Sequence, residues 1–124
     1  MHNILFVCTA NIFRSRFAEE VFNFLAIKEK IPTRAFSAGL KVGEYHIRKI
    51  YRPALEQLEK LNIKPRRPNE LSLHINEEEL TKYDQLICMD EAEHKPMVLS
   101  NSKLKEFNFE YWDIVDEPKV QSDV

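Results

Sequence analysis

Cysteine is scarce in this chain: Cys8 and Cys88 are the only two in 124 residues. Two cysteines so far apart exclude a disulfide framework and fit a reducing, cytoplasmic setting. Histidine is nearly as rare. His2, His46, His74 and His94 are scattered singly, and no Cys/His group has metal-ligand spacing. Each histidine therefore reads as a surface or packing residue, and neither a metal nor another cofactor is expected. Long hydrophobic runs are lacking too. The N-terminus has no basic segment followed by an apolar stretch, and 4–7 is far too short to cross a bilayer. Charge of one sign is not in excess: the net charge of −2 gives no overall attraction to nucleic acid or to an anionic membrane. Repeats, linkers and low-complexity tracts are missing as well. At 44% hydrophobic and 31% charged residues, the expectation is one globular domain over 1–124. Its oligomeric state is left open by the sequence.

What is present is concentrated near the start. The apolar run Ile4-Leu5-Phe6-Val7 ends in Cys8, followed by Thr9-Ala10-Asn11-Ile12-Phe13 and then Arg14-Ser15. A strand ending in a nucleophile, a short loop and a helix start together form an anion cradle, because loop N–H groups and the helix N-terminus converge on one point. Such a point favours phosphate and stabilises a thiolate. Arg14 can grip two phosphate oxygens with its planar fork. Cysteine attack on a phosphate ester is the reaction these parts suit. That reaction also needs a carboxyl group, first to protonate the leaving oxygen and then to activate water. Asp113, Asp116 and Glu117, just past the last predicted strand, are the candidates.

Apolar periodicity predicts strands over 2–8, 34–37, 84–89 and 107–112. Helices are predicted over 14–30, with Phe17, Val21, Phe24 and Leu25 on one face, and over 53–61, with a stripe of Leu55, Leu58 and Leu61. A short helix over 76–82, opening on three glutamates, and a helix over 90–99 holding Pro96 complete the pattern. The segment 63–69 reads as a locally basic loop, and 113–124 as loop. Alternating strands and helices imply a parallel sheet with helices on both faces. Ligands of such sheets bind at the carboxyl ends of the strands, where Cys8 lies.

Four segments carry a resemblance to the low-molecular-weight protein tyrosine phosphatase family. They are Phe6-Val7-Cys8-Thr9-Ala10-Asn11-Ile12-Phe13-Arg14-Ser15 with Ala18-Glu19-Glu20-Val21-Phe22, then Ser37-Ala38-Gly39, then Tyr83-Asp84-Gln85-Leu86-Ile87-Cys88-Met89-Asp90, and finally Trp112-Asp113-Ile114-Val115-Asp116-Glu117-Pro118. The resemblance implies a four-stranded, flavodoxin-like α/β three-layer sandwich and a metal-free hydrolysis through phosphocysteine. It implies that Cys8 is the nucleophile and that Arg14 binds the phosphate and stabilises the transition state. Ser15 would hydrogen-bond the thiolate, and Asn11 would hold the loop in shape, assisted by Ser37. The substrate phosphate would sit among Thr9, Ala10, Asn11, Ile12, Phe13 and Arg14. Asp116 would be the general acid and then the base, with Asp113 a structural residue at the strand end. The implied substrate is a phosphorylated protein, with phosphotyrosine favoured, or a small phosphate ester. Ile12, Phe13, Tyr45, Tyr51 and Trp112 are candidates for the wall of its slot.

The chain departs from the family pattern at several points. Ala10 stands where glycine is usual, Phe13 where a second loop cysteine is common, and Arg16 where proline follows Arg-Ser. Glu117 intervenes between Asp116 and Pro118, and Lys119 and Val120 replace tyrosines. The family's closing C-terminal helix is expected to be missing. Two alternatives follow: a catalytically weak module that binds phosphate or phosphoprotein, and an arsenate reductase. The second is disfavoured because Cys88 alone offers no thiol relay.

Overall fold

A computed structural model describes residues 1–42 and 49–114. Asp116, Glu117, Lys119, Val120 and Tyr45 lie outside the described residues. Strand β1 (His2–Cys8) is followed by helix α1 (Arg14–Lys28), strand β2 (Thr33–Gly39), helix α2 (Arg52–Lys60), strand β3 (Gln85–Cys88), helix α3 (Glu91–Leu99) and strand β4 (Glu110–Tyr111). The four strands form one parallel sheet in the order β2-β1-β3-β4. Its register pairs Cys8 with Gly39, Val7 with Cys88, and Cys88 with Tyr111, so the strands' carboxyl ends share one rim.

Alternation along β1 sends Leu5 and Val7 to one face and Ile4, Phe6 and Cys8 to the other. On the Leu5 face, Leu86 and Cys88 pack with Ile75, Leu80, Leu104 and Val98 of α3. On the Cys8 face, Ile87 and Met89 pack with Ala18 and Phe22 of α1. The sheet thus lies between α1 and α3, and α2 forms an outer tier on α1. There the fully buried Leu58 meets Phe17, Val21 and Phe24. Burying a leucine of this kind contributes roughly 1.5–3 kcal/mol. No helix among the described residues is long and apolar enough to cross a membrane.

Several elements differ from expectation. Leu25 and Leu61, predicted to lie on buried stripes, are exposed. The residues that α1 buries include Arg14, Ser15, Arg16, Glu19, Glu20 and Asn23, because the helix is wired to neighbouring backbone as well as packed on it. Asn23 exchanges two hydrogen bonds with the backbone of Ala35 in β2, at 2.8 and 3.0 Å. The predicted helix over 76–82 is two 3₁₀ turns, Ile75–Glu77 and Leu80–Lys82, separated by extended backbone at Glu78 and Glu79. At the break, Tyr83 Oη–H donates to Glu78 at 2.8 Å. Strand β2 is longer than expected. Strand β4 is only two residues long, since Phe107 and Phe109 pack against the core beside it rather than within the ladder.

Candidate active site

The segment from Cys8 to Arg14 leaves β1 and enters α1 within five intervening residues. Because Cys8 points to the α1 face of the sheet, its sulfur meets the first turn of that helix. Cys8 Sγ lies 2.9 Å from Ser15 Oγ and accepts the Asn11 backbone N–H at 3.3 Å. Asn11 Nδ2 donates to the same Ser15 oxygen at 2.8 Å, which turns the serine hydrogen toward the sulfur. Helix α1 begins with no side-chain cap, so no capping side chain takes up its first N–H groups.

Asn11 is the hub of this loop and is almost fully buried. Its φ of 58° is left-handed, a conformation that asparagine tolerates better than most residues. The strain is over-determined by its partners: Ser72 Oγ donates to the Asn11 carbonyl at 2.8 Å, and the Leu73 N–H donates to Asn11 Oδ1 at 3.1 Å. Ala10 is not among the residues with positive φ, so a Cβ is accommodated where the family pattern has glycine. Gly39 does need its missing side chain. A Cβ there would stand 2.8 Å from the Thr9 carbonyl oxygen and 2.6 Å from Val42 Cγ2. That close approach lets Leu40 and Lys41 donate to the Cys8 and Thr9 carbonyls at 2.9 and 2.8 Å.

Ser37 was expected to assist Asn11, but it donates instead to Glu19 Oε1 at 2.5 Å. Direct support of Asn11 comes from Ser72 and Leu73, which no local motif marks. Phe13 and Tyr51 meet as a tilted ring pair with centroids 5.8 Å apart, and the Tyr51 N–H donates to the Ile12 carbonyl at 2.6 Å. Trp112 lies against Phe6 at 5.6 Å and is 42% exposed. Asp113 pairs with Asp90 in an isolated antiparallel bridge at the end of β4.

Arg14, buried with the loop, reaches away from α1. Its Nη1 donates to the Ile114 carbonyl at 3.1 Å and to Glu93 Oε1 at 3.0 Å, and its Nη2 donates to Glu93 Oε2 at 2.8 Å. Glu93 also accepts from Thr9 Oγ1. Burial acts to raise the Glu93 pKa, but the hydrogen bonds from Arg14 and Thr9 and the Arg14 charge outweigh it and bring the carboxyl to about 2. His94, fully buried, accepts the Asp90 N–H on Nδ1 at 3.1 Å and turns Nε2 toward Thr9 Oγ1, also at 3.1 Å. Burial lowers its pKa, so it is held neutral. The sequence marks His94 only as a surface or packing residue and gives Glu93 no motif. Their only local signal is a place in the first turn of a helix opening on the sheet's carboxyl rim. No group of three or more His, Cys, Asp or Glu among the described residues could hold a metal ion.

Residues 3–119 match the family model for low molecular weight phosphotyrosine protein phosphatase. The chain belongs to this family. Members of this family of cysteine-based phosphatases act on phosphorylated proteins or small phosphate esters. Among solved structures, YfkJ from Bacillus subtilis is 28% identical and superposes with a TM-score of 0.79, covering 98% of this chain and 82% of that one. A low molecular weight protein tyrosine phosphatase from T. tengcongensis is 26% identical, with a TM-score of 0.72 over 88% of this chain and 73% of the other. YwlE of Bacillus subtilis, an arginine phosphatase solved as a mutant with a phosphorylated active-site serine, is 25% identical. It has a TM-score of 0.71 over 90% of this chain and 68% of its own. No curated protein matches the chain by sequence.

Proposed function

We propose that this phosphatase-family chain hydrolyses phosphate monoesters through a phosphocysteine intermediate, with protein phosphotyrosine as its substrate class. The observation that carries the reading is the Cys8 sulfur, held at 2.9 Å from the Ser15 hydroxyl and 3.3 Å from the Asn11 N–H at the mouth of α1. Both donors stabilise sulfur as an anion, when it attacks and again when it leaves. In the first step Cys8 Sγ bonds to phosphorus while the ester oxygen departs with a proton from Asp116. In the second, Asp116 takes a proton from water, which attacks phosphorus and releases inorganic phosphate and the thiolate. N–H groups of the loop from Thr9 to Phe13, with Arg14, hold the equatorial oxygens. Arg14 also donates to the carbonyl of Ile114, two residues before Asp116 in the sequence.

The Phe13–Tyr51 pair beside the loop supports an aromatic substrate. An arsenate-reductase relay is disfavoured. Cys88 lies on the opposite face of the sheet, fully buried, and burial pushes its thiol up to about 12.

Hydrolysis of p-nitrophenyl phosphate by the purified chain tests the reading. Turnover is expected in the wild type, its abolition with retained phosphate binding in Cys8→Ser, and a strong slowing in Asp116→Ala. Peptides bearing phosphotyrosine, phosphoserine or phosphoarginine then rank the substrate class, with phosphotyrosine expected first. Turnover surviving in Cys8→Ser would refute the nucleophile, and a wild type that binds phosphate without turnover would favour a binding module.

A further inference from the structure

Glu93 has no part in the chemistry above, yet its carboxylate has partners at both ends of the anion loop. The backbone of Glu93 is fixed first: its N–H donates to Asp90 Oδ2 at 2.8 Å, the N-cap contact of α3. From there the side chain turns onto the loop rather than into solvent. Its two oxygens take Nη1 and Nη2 of Arg14 at 3.0 and 2.8 Å, and Oε2 also takes the hydroxyl of Thr9. Thr9 is the first residue after Cys8, and Arg14 is the last of the loop and the first of α1. One carboxylate therefore joins the loop's entry to its exit, with His94 Nε2 behind it at 3.3 Å.

We infer that Glu93 is a positioning residue for Arg14, clasping the anion loop shut and fixing the plane of the guanidinium before substrate arrives. The inference rests on the phosphatase reading of the same loop. A bidentate fork constrains the orientation of a guanidinium as well as its position, and a long flexible side chain has most to gain from that. Donors fixed beforehand at the place where charge develops stabilise a transition state without reorganising. The opposite possibility is that the carboxylate competes with phosphate for Arg14. The geometry speaks against it: Thr9 and His94 meet the carboxylate while the cap at Asp90 fixes the backbone that carries it, so it is a fixture of the loop and not an arm that an incoming oxyanion displaces.

The full-length chain, Glu93→Ala, Glu93→Gln and the same changes on an Arg14→Lys background separate these ideas. The readouts are p-nitrophenyl phosphate kinetics and inorganic phosphate affinity by calorimetry. Glu93→Ala is expected to lose about ten- to a hundredfold in kcat/KM and to weaken phosphate binding. Glu93→Gln, which keeps an oxygen on the guanidinium, should fall between. On the Arg14→Lys background the Glu93→Ala effect should shrink to about twofold or less, because an ammonium cannot take the fork. A purely structural glutamate would cost the same on both backgrounds, and that result overturns the inference. So does a Glu93→Ala protein that binds phosphate as well as or better than wild type. Should Glu93→Ala fail to fold, the Glu93→Gln pair decides by the same criteria. A wild type that binds phosphate but turns nothing over defeats the phosphatase reading alone, and the clasp is then judged on the phosphate affinities.

Discussion

At the scale of single residues, Asn11 concentrates the design of the loop. Its N–H, carbonyl and both side-chain heteroatoms are engaged, and its backbone is left-handed. Two costs are therefore separable by substitution. Asn11→Ala loses the side-chain bonds, leaves the Leu73 N–H without its acceptor and adds left-handed strain. Asn11→Gly loses the same bonds but relieves the strain. Urea unfolding should show the glycine variant more stable than the alanine variant by about 1 kcal/mol, with both below wild type by roughly 1–3 kcal/mol. An alanine variant as stable as the glycine variant would mean that the loop relaxes out of the left-handed region. Cys8, Arg14 and Ser15 stand out in the sequence because one short segment carries the sulfur, the guanidinium and the hydroxyl, whereas Asn11 is marked by the family resemblance alone. Ser72, Leu73 and Glu93 were not legible, because they come from distant segments whose own residues give no motif. A serine in a loop and a glutamate in a first helical turn are ordinary residues until the fold brings them to the site.

At the scale of elements, α3 does more than cover the sheet. Its first turn presents Glu93 and His94 to Thr9, which makes the seating of the helix sensitive to pH. His94 is held neutral by burial, so the folded state binds fewer protons than the unfolded chain as pH falls below the ordinary value of 6.5. Folding therefore becomes less favourable on acidification from that point down, because the unfolded ring takes a proton that the buried ring refuses. Glu93 acts in a lower window. Its depressed pKa adds stability above the ordinary value of 4.5, which is lost as pH falls toward about 2. Melting temperature measured against pH should fall in two limbs, and His94→Asn, which can still accept from the Asp90 N–H, should flatten only the upper one. An unchanged upper limb in that variant would assign it to another group. The strand–helix order was legible in apolar periodicity, yet the buried face of α1 was not. Its apolar residues serve α2 as well as the sheet, while Glu19, Glu20 and Asn23 are buried on backbone partners that periodicity does not count.

At the scale of the whole molecule, a buried charged network ties the outer segment 66–73 to the site. Glu20 accepts the N–H groups of Arg66 and Arg67, both at 2.9 Å, and Glu19 takes Arg67 Nε and Nη2 at 2.7 and 3.0 Å. Arg16, almost wholly buried, donates to the carbonyls of Arg67 and Glu70 at 2.7 and 3.1 Å. Burial lowers the pKa of Arg16, and the charges of Glu19 and Glu20 oppose that cost. Beyond this clamp the same segment delivers Ser72 and Leu73 to Asn11, so α1 holds the loop from outside as well as from its own first turn. Removing Glu19 leaves the half-buried Arg67 guanidinium without its carboxylate and takes an opposing charge from buried Arg16, which should cost about 1–3 kcal/mol. The exposed Lys95–Glu91 pair at 3.4 Å is worth less than about 1 kcal/mol, so Lys95→Ala should barely register. Because segment 66–73 braces Asn11, Glu19→Ala should lose phosphate turnover at a urea concentration below that which melts its helices, as followed by circular dichroism. Coincident loss of turnover and helix in that variant would show that the clamp stabilises the molecule as a whole and transmits nothing particular to the loop.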